Sequence, residues 1–261
     1  MTIRKGIAIA LPVLLLLGVA AFYHWRTHHI SLVQQGFAEA AEHGCFECHG
    51  LGGSSGVKNP GSRWKSVPEW NGGTHMMFIE NEGEISEWIL DGGPARLRHN
   101  KEWQAEQSKA LIRMPAFRAT LDEADLAAII AYFKAVAEFE KIPVEAADAG
   151  RDEAREMGCF HCHGPEGRGC MPNPRSLKGY IPSWDGRDFT ELVANDEELK
   201  EWILDGVAKR LTKNRFALFF MQRQQVQMPA YKDKISNEQL DHIMAYIQWI
   251  RGRQGKTGSA R

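Results

Sequence analysis

The sequence predicts an all-α protein in which two copies of one small helical domain follow a single N-terminal apolar helix. Three observations support this prediction. The 261 residues are 43% hydrophobic and 25% charged, a composition typical of a folded globular chain. The apolar residues recur with a helical period and show little of the alternation of a β-strand. A set of short motifs occurs twice at a constant separation, which indicates a tandem repeat.

Overall charge and hydropathy exclude two classes of protein. The formal net charge of −1 is far from that of a strongly basic nucleic-acid binder, so we expect no nucleic-acid partner. The mean hydropathy of −0.38 excludes a protein with many membrane spans. One apolar segment near the start needs separate treatment.

That apolar segment runs from Ile7 to Phe22 and follows the basic residues Arg4 and Lys5. A retained membrane anchor needs roughly 17–25 residues, and Tyr23 and Trp25 resemble the aromatic belt at a membrane interface. These features favour an anchor that leaves the N-terminus in the cytoplasm.

A cleaved signal peptide is the alternative, with Val19-Ala20-Ala21 as its processing site. Both alternatives export the rest of the chain into an oxidising compartment. We therefore expect the folded domains to face the periplasm. They would be anchored in the cytoplasmic (inner) membrane, or soluble in the periplasm if the signal is removed.

The repeat is defined by Cys45-Phe46-Glu47-Cys48-His49, which recurs 114 residues later as Cys159-Phe160-His161-Cys162-His163. The same offset relates further motifs: Asn59-Pro60 to Asn173-Pro174, Trp88–Gly92 to Trp202–Gly206, and Met114-Pro115-Ala116 to Met228-Pro229-Ala230. A constant register over so many positions predicts two copies of one domain. The predicted divisions are an N-terminal anchor and linker (1–33), two domains (34–141 and 142–251) and a flexible tail (252–261).

Each copy is expected to contain helices at three places. The predicted segments are Gln35–Gly44 and Ala146–Gly158 before the cysteine motifs, Glu84–Asp91 and Glu198–Asp205 in the middle, and final helices that begin near Thr120 and Ser236. Gly92 and Gly206 should end the middle helices, because glycine readily adopts the left-handed conformation. Thr120 and Ser236 should be N-caps, with Glu123 completing a capping box in the first copy.

The CxxCH motif places two thiols one helical turn apart with an imidazole directly after them. This spacing suits a haem attached by two thioethers with the histidine on its iron, so Cys45, Cys48 and His49 predict one covalent haem c. Cys159, Cys162 and His163 predict a second one. Two alternatives are a zinc site and a dithiol redox pair. Zinc would need four converging ligands, and a thioredoxin-like pair would need a βαβ context.

The order of helix, CxxCH, methionine-proline and final helix resembles the class I cytochrome c family over residues 34–251. The resemblance implies the cytochrome c fold, two haem c groups and one-electron transfer. The long middle stretches Lys101–Arg113 and Arg215–Gln227 depart from the family pattern.

The second axial ligand of each iron is identified by comparing the two copies. Met114 and Met228 alone among the methionines occupy the same register, and each precedes Pro-Ala and an aromatic residue. We therefore expect His49 and Met114 on one iron, and His163 and Met228 on the other. An iron with both axial positions filled favours electron transfer over catalysis at the metal.

Other side chains receive more open interpretations. The tryptophans Trp70, Trp88, Trp184 and Trp202 are expected to line the haems. Arg96 and Arg210 are either propionate ligands or solvated surface residues. The first copy has no cysteine at the position that matches Cys170. Cys170 is an inert thiol, half of an intermolecular disulfide, or a haem ligand in place of Met228.

The predicted function is to relay single electrons between a membrane respiratory oxidoreductase, either a quinol-oxidising complex or a terminal oxidase, and another redox protein. The alternative is a dihaem enzyme similar to thiosulfate dehydrogenase, with Cys170 as a haem ligand.

Overall fold

A computed structural model describes residues 13–24, 30–71 and 73–257 of the chain, with side chains as far as residue 252. Residues 13–24 are helical, and their apolar side chains are exposed. None of the helices within these ranges is both long and apolar enough to cross a membrane. The first part of the predicted apolar run, residues 7–12, lies outside the described residues.

Helices make up both repeats, and the described residues contain no extended strand, which confirms the all-α prediction. The helices of the first repeat are α1 (Leu32–Glu42), α2 (Cys45–His49), α3 (Gly83–Asp91), α4 (Ala95–Arg98), α5 (Lys101–Lys109) and α6 (Glu123–Val136). Those of the second are α7 (Glu145–Glu156), α8 (Cys159–His163), α9 (Phe189–Leu192), α10 (Asp196–Asp205), α11 (Lys209–Thr212), α12 (Arg215–Arg223) and α13 (Asn237–Thr257). Helices α4 and α11, and likewise α5 and α12, start and end at positions that differ by 114 residues.

The first and last helices of each repeat pack directly against each other, α1 on α6 and α7 on α13. A glycine permits each contact. A methyl group on Gly36 would lie 1.9 Å from the Ala128 carbonyl oxygen, and one on Gly150 would lie 1.9 Å from the His242 carbonyl oxygen. No side chain fits at either position, so the backbones of the paired helices touch there.

An apolar core surrounds each helix crossing. In the first repeat it includes Val33 and Ala40 of α1 with Ile129 and Phe133 of α6. In the second, Ala147 and Ala154 of α7 meet Leu240, Ile243 and Ile247 of α13. The apolar residues of each final helix therefore face the first helix of the same repeat.

The N-caps of the final helices differ from the prediction in one repeat. Asp122, and not Thr120, caps α6, because its carboxylate accepts bonds from the amides of Ala124 and Asp125. The Thr120 hydroxyl instead bonds the Phe117 carbonyl oxygen. The expected role of Glu123 in a capping box is therefore wrong, since Glu123 is the first residue of the helix.

In the second repeat the predicted cap Ser236 is confirmed. Its hydroxyl accepts a bond from the Gln239 amide, and the Gln239 side chain accepts a bond from the Ser236 amide. This reciprocal pair is a capping box. The predicted ends of α3 and α10 are also confirmed, because Gly92 and Gly206 have φ values of 75° and 76°.

The two repeats contact each other through polar groups. Arg155 of α7 forms an ion pair with Glu138 at 2.7 Å, just after α6. The Ser31 hydroxyl, at the start of α1, donates a bond to the Arg168 carbonyl oxygen. Helix α6 also contacts the 3₁₀ turn Pro165–Gly167 of the second repeat. Glu166 lies in that turn and is only 6% exposed.

Burial at this contact raises the pKa of Glu166 to about 7, although nearby arginines favour the charged form. The nearest guanidinium atom, on Arg168, is 4.0 Å away. A carboxyl group whose folded pKa exceeds its unfolded value binds more protons in the folded state at intermediate pH. The free energy of unfolding should therefore fall as the pH rises from about 4.5 to 7.

We predict that Glu166→Gln stabilises the fold at pH 8 by roughly 1–3 kcal/mol, because the amide carries no charge to bury. At pH 4 the two proteins should differ little. Urea denaturation at both pH values measures the effect, with the exposed Glu156→Gln as a control. An equal effect of Glu166→Gln at both pH values would contradict the assignment.

Candidate functional site

Each CxxCH motif forms its own short helix after a glycine in the left-handed conformation. Gly44 has a φ of 71° before α2, and Gly158 has a φ of 76° before α8. These turns separate each motif helix from α1 or α7, and motif residues pack against the core of their repeat. The four motif cysteines carry no disulfide, and all are partly buried.

Both motif histidines are oriented by a backbone carbonyl group. His49 Nδ1 lies 2.7 Å from the Pro68 carbonyl oxygen, and His163 Nδ1 lies 3.1 Å from the Pro182 carbonyl oxygen. A carbonyl oxygen only accepts hydrogen bonds, so Nδ1 carries the proton and Nε2 keeps a free lone pair. Burial lowers the pKa of His49, and it lowers that of His163 to about 4. Both imidazoles are therefore neutral at pH 7, the form in which an imidazole can bind a metal.

A buried tryptophan packs beside each of these histidines. The ring centroids of His49 and Trp70 are 5.0 Å apart, and those of His163 and Trp184 are 5.1 Å apart. Gly167 is essential to the second contact, because a methyl group there would lie 2.2 Å from the Trp184 ring. These tryptophans therefore fix the histidine side of the site.

The second repeat contains an open cavity of about 1700 Å³, including the solvent at its mouth. Cys159, Cys162, His163 and Met228 all line it, together with largely apolar side chains. The structure thus brings the four predicted ligand-bearing residues of this repeat to one space. Trp184 and Trp202 line the same cavity.

A cavity of about 700 Å³, including the solvent at its mouth, lies in the first repeat. Trp64, Pro68, Met77 and Phe78 are among its lining residues, but Cys45, Cys48, His49 and Met114 are not. The predicted ligands of this repeat therefore lie outside this cavity.

The methionine segments are held by a pair of buried asparagines that the sequence analysis did not assign to the site. The Asn173 side chain donates to the Val226 carbonyl oxygen and accepts from the Val226 amide, both at 2.9 Å. Asn59 makes the same two bonds with Ile112, both at 2.8 Å. Each asparagine thus clamps the chain two residues before the methionine. The sequence feature that points to this clamp is the Asn-Pro pair, which occurs at the same position of both repeats.

The helix-ending glycines contribute to the same arrangement. A methyl group on Gly206 would lie 2.5 Å from the Met228 carbonyl oxygen, and one on Gly92 would lie 2.6 Å from that of Met114. Glycine at these positions serves both the left-handed turn and the close approach of the methionine backbone.

Arg96 and Arg210 bind carboxylates of their own repeats. Arg96 contacts Glu84 at 2.6 and 3.0 Å, and Arg210 contacts Glu198 at 2.7 and 3.0 Å. These bonds hold the pKa of both carboxyl groups below the ordinary value. The pairs fasten α4 to α3 and α11 to α10. The contacts favour neither propionate binding nor a freely solvated arginine.

Cys170 lies at the contact between the repeats and does not line the second cavity. Its amide donates to the Gln34 side chain at 2.9 Å, and its thiol lies 3.9 Å from the Ser31 hydroxyl. Burial raises the pKa of this thiol, which keeps it protonated and weakly nucleophilic.

Residues 147–251 match the family model for cytochrome c. This part of the chain is therefore similar to cytochrome c. The match implies covalently bound haem c and haem-based electron transfer. No curated protein and no solved structure matches the chain.

The residues of this part of the chain fit such a group. Two thiols, a neutral imidazole with a free Nε2 and a thioether converge on an apolar cavity, and this donor set suits a haem iron. Gly167 packs against Trp184, and Gly206 packs against the Met228 backbone. Neither glycine position has room for a side chain.

We predict that Asn173→Ala loosens the Met228 segment, because it leaves the amide and carbonyl groups of Val226 without partners. The expected loss in the free energy of unfolding is about 1–3 kcal/mol, and hydrogen exchange at the Val226 amide should accelerate. The exposed Gln222→Ala serves as the control. Unchanged exchange at Val226 would contradict the clamp.

Proposed function

We propose that the chain is a dihaem c-type cytochrome that relays single electrons between redox proteins. The observation that carries the proposal is the convergence of Cys159, Cys162, His163 and Met228 on one apolar cavity within the part of the chain that is similar to cytochrome c. The first repeat supports a second haem, because His49 and Met114 have the same backbone supports as His163 and Met228.

The proposed roles of the residues follow from their chemistry. Bound haem supplies an iron that gains and loses one electron. The cysteine thiols would hold the group through thioethers, and the histidine Nε2 and the methionine sulfur would bind its iron. The Pro68 and Pro182 carbonyl oxygens keep each imidazole in one tautomer and orientation. His/Met ligation favours the reduced state and a relatively high potential.

A relay is favoured over an enzyme because a histidine and a methionine would both bind each iron and leave it no open site for a substrate. The thiosulfate dehydrogenase alternative requires Cys170 on the second iron. Cys170 is instead packed against Ser31 and Gln34 of the first repeat, outside the cavity. No contact of the described residues favours this alternative.

We also propose that the N-terminal helix tethers the protein to the inner membrane, with the haem domains in the periplasm. Residues 13–24 support this proposal, because they form a helix whose leucine side chains are largely exposed to solvent. A quinol-oxidising complex or a terminal oxidase would be the membrane partner, with a second redox protein as the other.

Ligation is tested by near-infrared magnetic circular dichroism of the oxidised protein. Both haems should give a thioether-to-iron charge-transfer signal, and Met114→Ala and Met228→Ala should each remove the signal of one haem. Met221→Ala is a matched control. Met221 lines the second cavity, but the first repeat has no methionine at the matching position. Bis-imidazole signals from both haems would refute the assignment.

Anchorage is tested by fractionation. The mature protein should stay with the membranes after a high-salt wash, because salt screens charge contacts but does not weaken the burial of an apolar helix. A mature protein that begins at Phe22 and appears in the soluble fraction would show a cleaved signal peptide.

A further inference from the structure

Helix α12 has two different faces at the edge of the second cavity. Its inner face contributes Ala217, Phe220 and Met221 to the cavity wall. Its outer face carries Phe216, Phe219 and Arg223, which follow one another at helical spacing. The outer face therefore lies next to the residues that form the cavity wall.

The two outer phenylalanines are unusually exposed for aromatic residues. Phe216 is 62% exposed and Phe219 is 52% exposed. Both rings contact Phe220, with centroids 5.1 and 5.2 Å apart, and the Arg223 guanidinium lies 5.0 Å from the Phe219 ring centre. The exposed rings thus rest on a residue of the cavity wall.

The fold does not require aromatic residues at this place. Helix α5 is the counterpart of α12 in the first repeat, and both begin after an asparagine N-cap, Asn100 or Asn214. Glu102 and Ala105 of α5 occupy the positions of Phe216 and Phe219. The same helix can therefore be built with a polar outer face.

Charge distinguishes this face as well. No acidic residue occurs between Gly206 and Asp233, whereas α5 contains Glu102 and Glu106. Lys213, Arg215 and Arg223 are exposed, and none has a carboxylate partner among the described residues. The aromatic patch is therefore bordered by unpaired positive charge.

We infer that the outer face of α12 is the docking surface for an acidic redox protein that exchanges electrons with the second haem; this inference rests on the proposed function. Aromatic residues and arginine are enriched at the energetic centres of protein interfaces. The partner would present an apolar patch with a carboxylate rim. A basic aromatic helix also suits an anionic membrane surface, but the position of α12 on the cavity wall favours a redox partner.

The test uses the haem-loaded full chain and an acidic blue-copper protein with an apolar patch beside its copper. Stopped-flow absorbance measures the electron-transfer rate between them. The rate should fall with rising salt, and both Arg215→Glu/Arg223→Glu and Phe216→Ser/Phe219→Ser should lower it by roughly tenfold or more. Lys101→Glu/Lys109→Glu alters the matching positions of α5 and should have little effect.

Each result has a defined meaning. Equal slowing by the α5 and α12 charge variants, or no slowing by either α12 variant, overturns the docking surface. If only binding to phosphatidylserine vesicles depends on α12, the face is a membrane contact and the inference is also wrong. Reduction of both haems by a small neutral mediator is measured in every variant. If the mediator does not reduce both haems of the wild-type protein, the proposed function itself is wrong.

Discussion

Each repeat depends on the contact between the backbones of its first and last helices. Gly36 and Gly150 bring the helix axes so close that no other residue fits without moving a carbonyl group. This contact fixes where the CxxCH helix begins, because α2 and α8 follow α1 and α7 after a single turn. It also fixes Tyr132 and Tyr246, whose hydroxyls bond the backbone just after each motif. The helix crossing therefore positions the histidine side of each site.

The methionine side is positioned by backbone hydrogen bonds from distant parts of the chain. Asn59 and Asn173 clamp segments 53 residues away, and Gly92 and Gly206 admit the methionine carbonyl groups at the helix ends. Both sides of a site are thus set by residues that occur at matching positions of the two repeats: the glycines at the close backbone contacts, the asparagine clamps and the tryptophans beside the histidines. This explains how the two repeats keep one ligand arrangement while their other residues differ.

The repeats differ mainly in the walls around these arrangements. The second repeat has a cavity lined by its motif residues and Met228, an aromatic α12 and a buried Cys170 against the first repeat. The first has a polar α5 and a cavity that its motif residues do not line. In the proposed relay, such differences would give two similar centres distinct surroundings and distinct contact surfaces.

The sequence by itself determined the helical class, the register of the repeats and the residues of the CxxCH motifs. These features follow from local spacing, and the comparison of two copies within one chain separated Met114 and Met228 from the other methionines. The sequence-based prediction misplaced the N-cap of α6. Thr120 and Asp122 are both good N-cap residues, and only the folded path of the chain selects one of them. Only the tertiary structure revealed the asparagine clamps, the glutamate partners of Arg96 and Arg210, and the burial of Cys170 and Glu166. These depend on contacts between segments far apart in the chain, which periodicity and spacing do not encode.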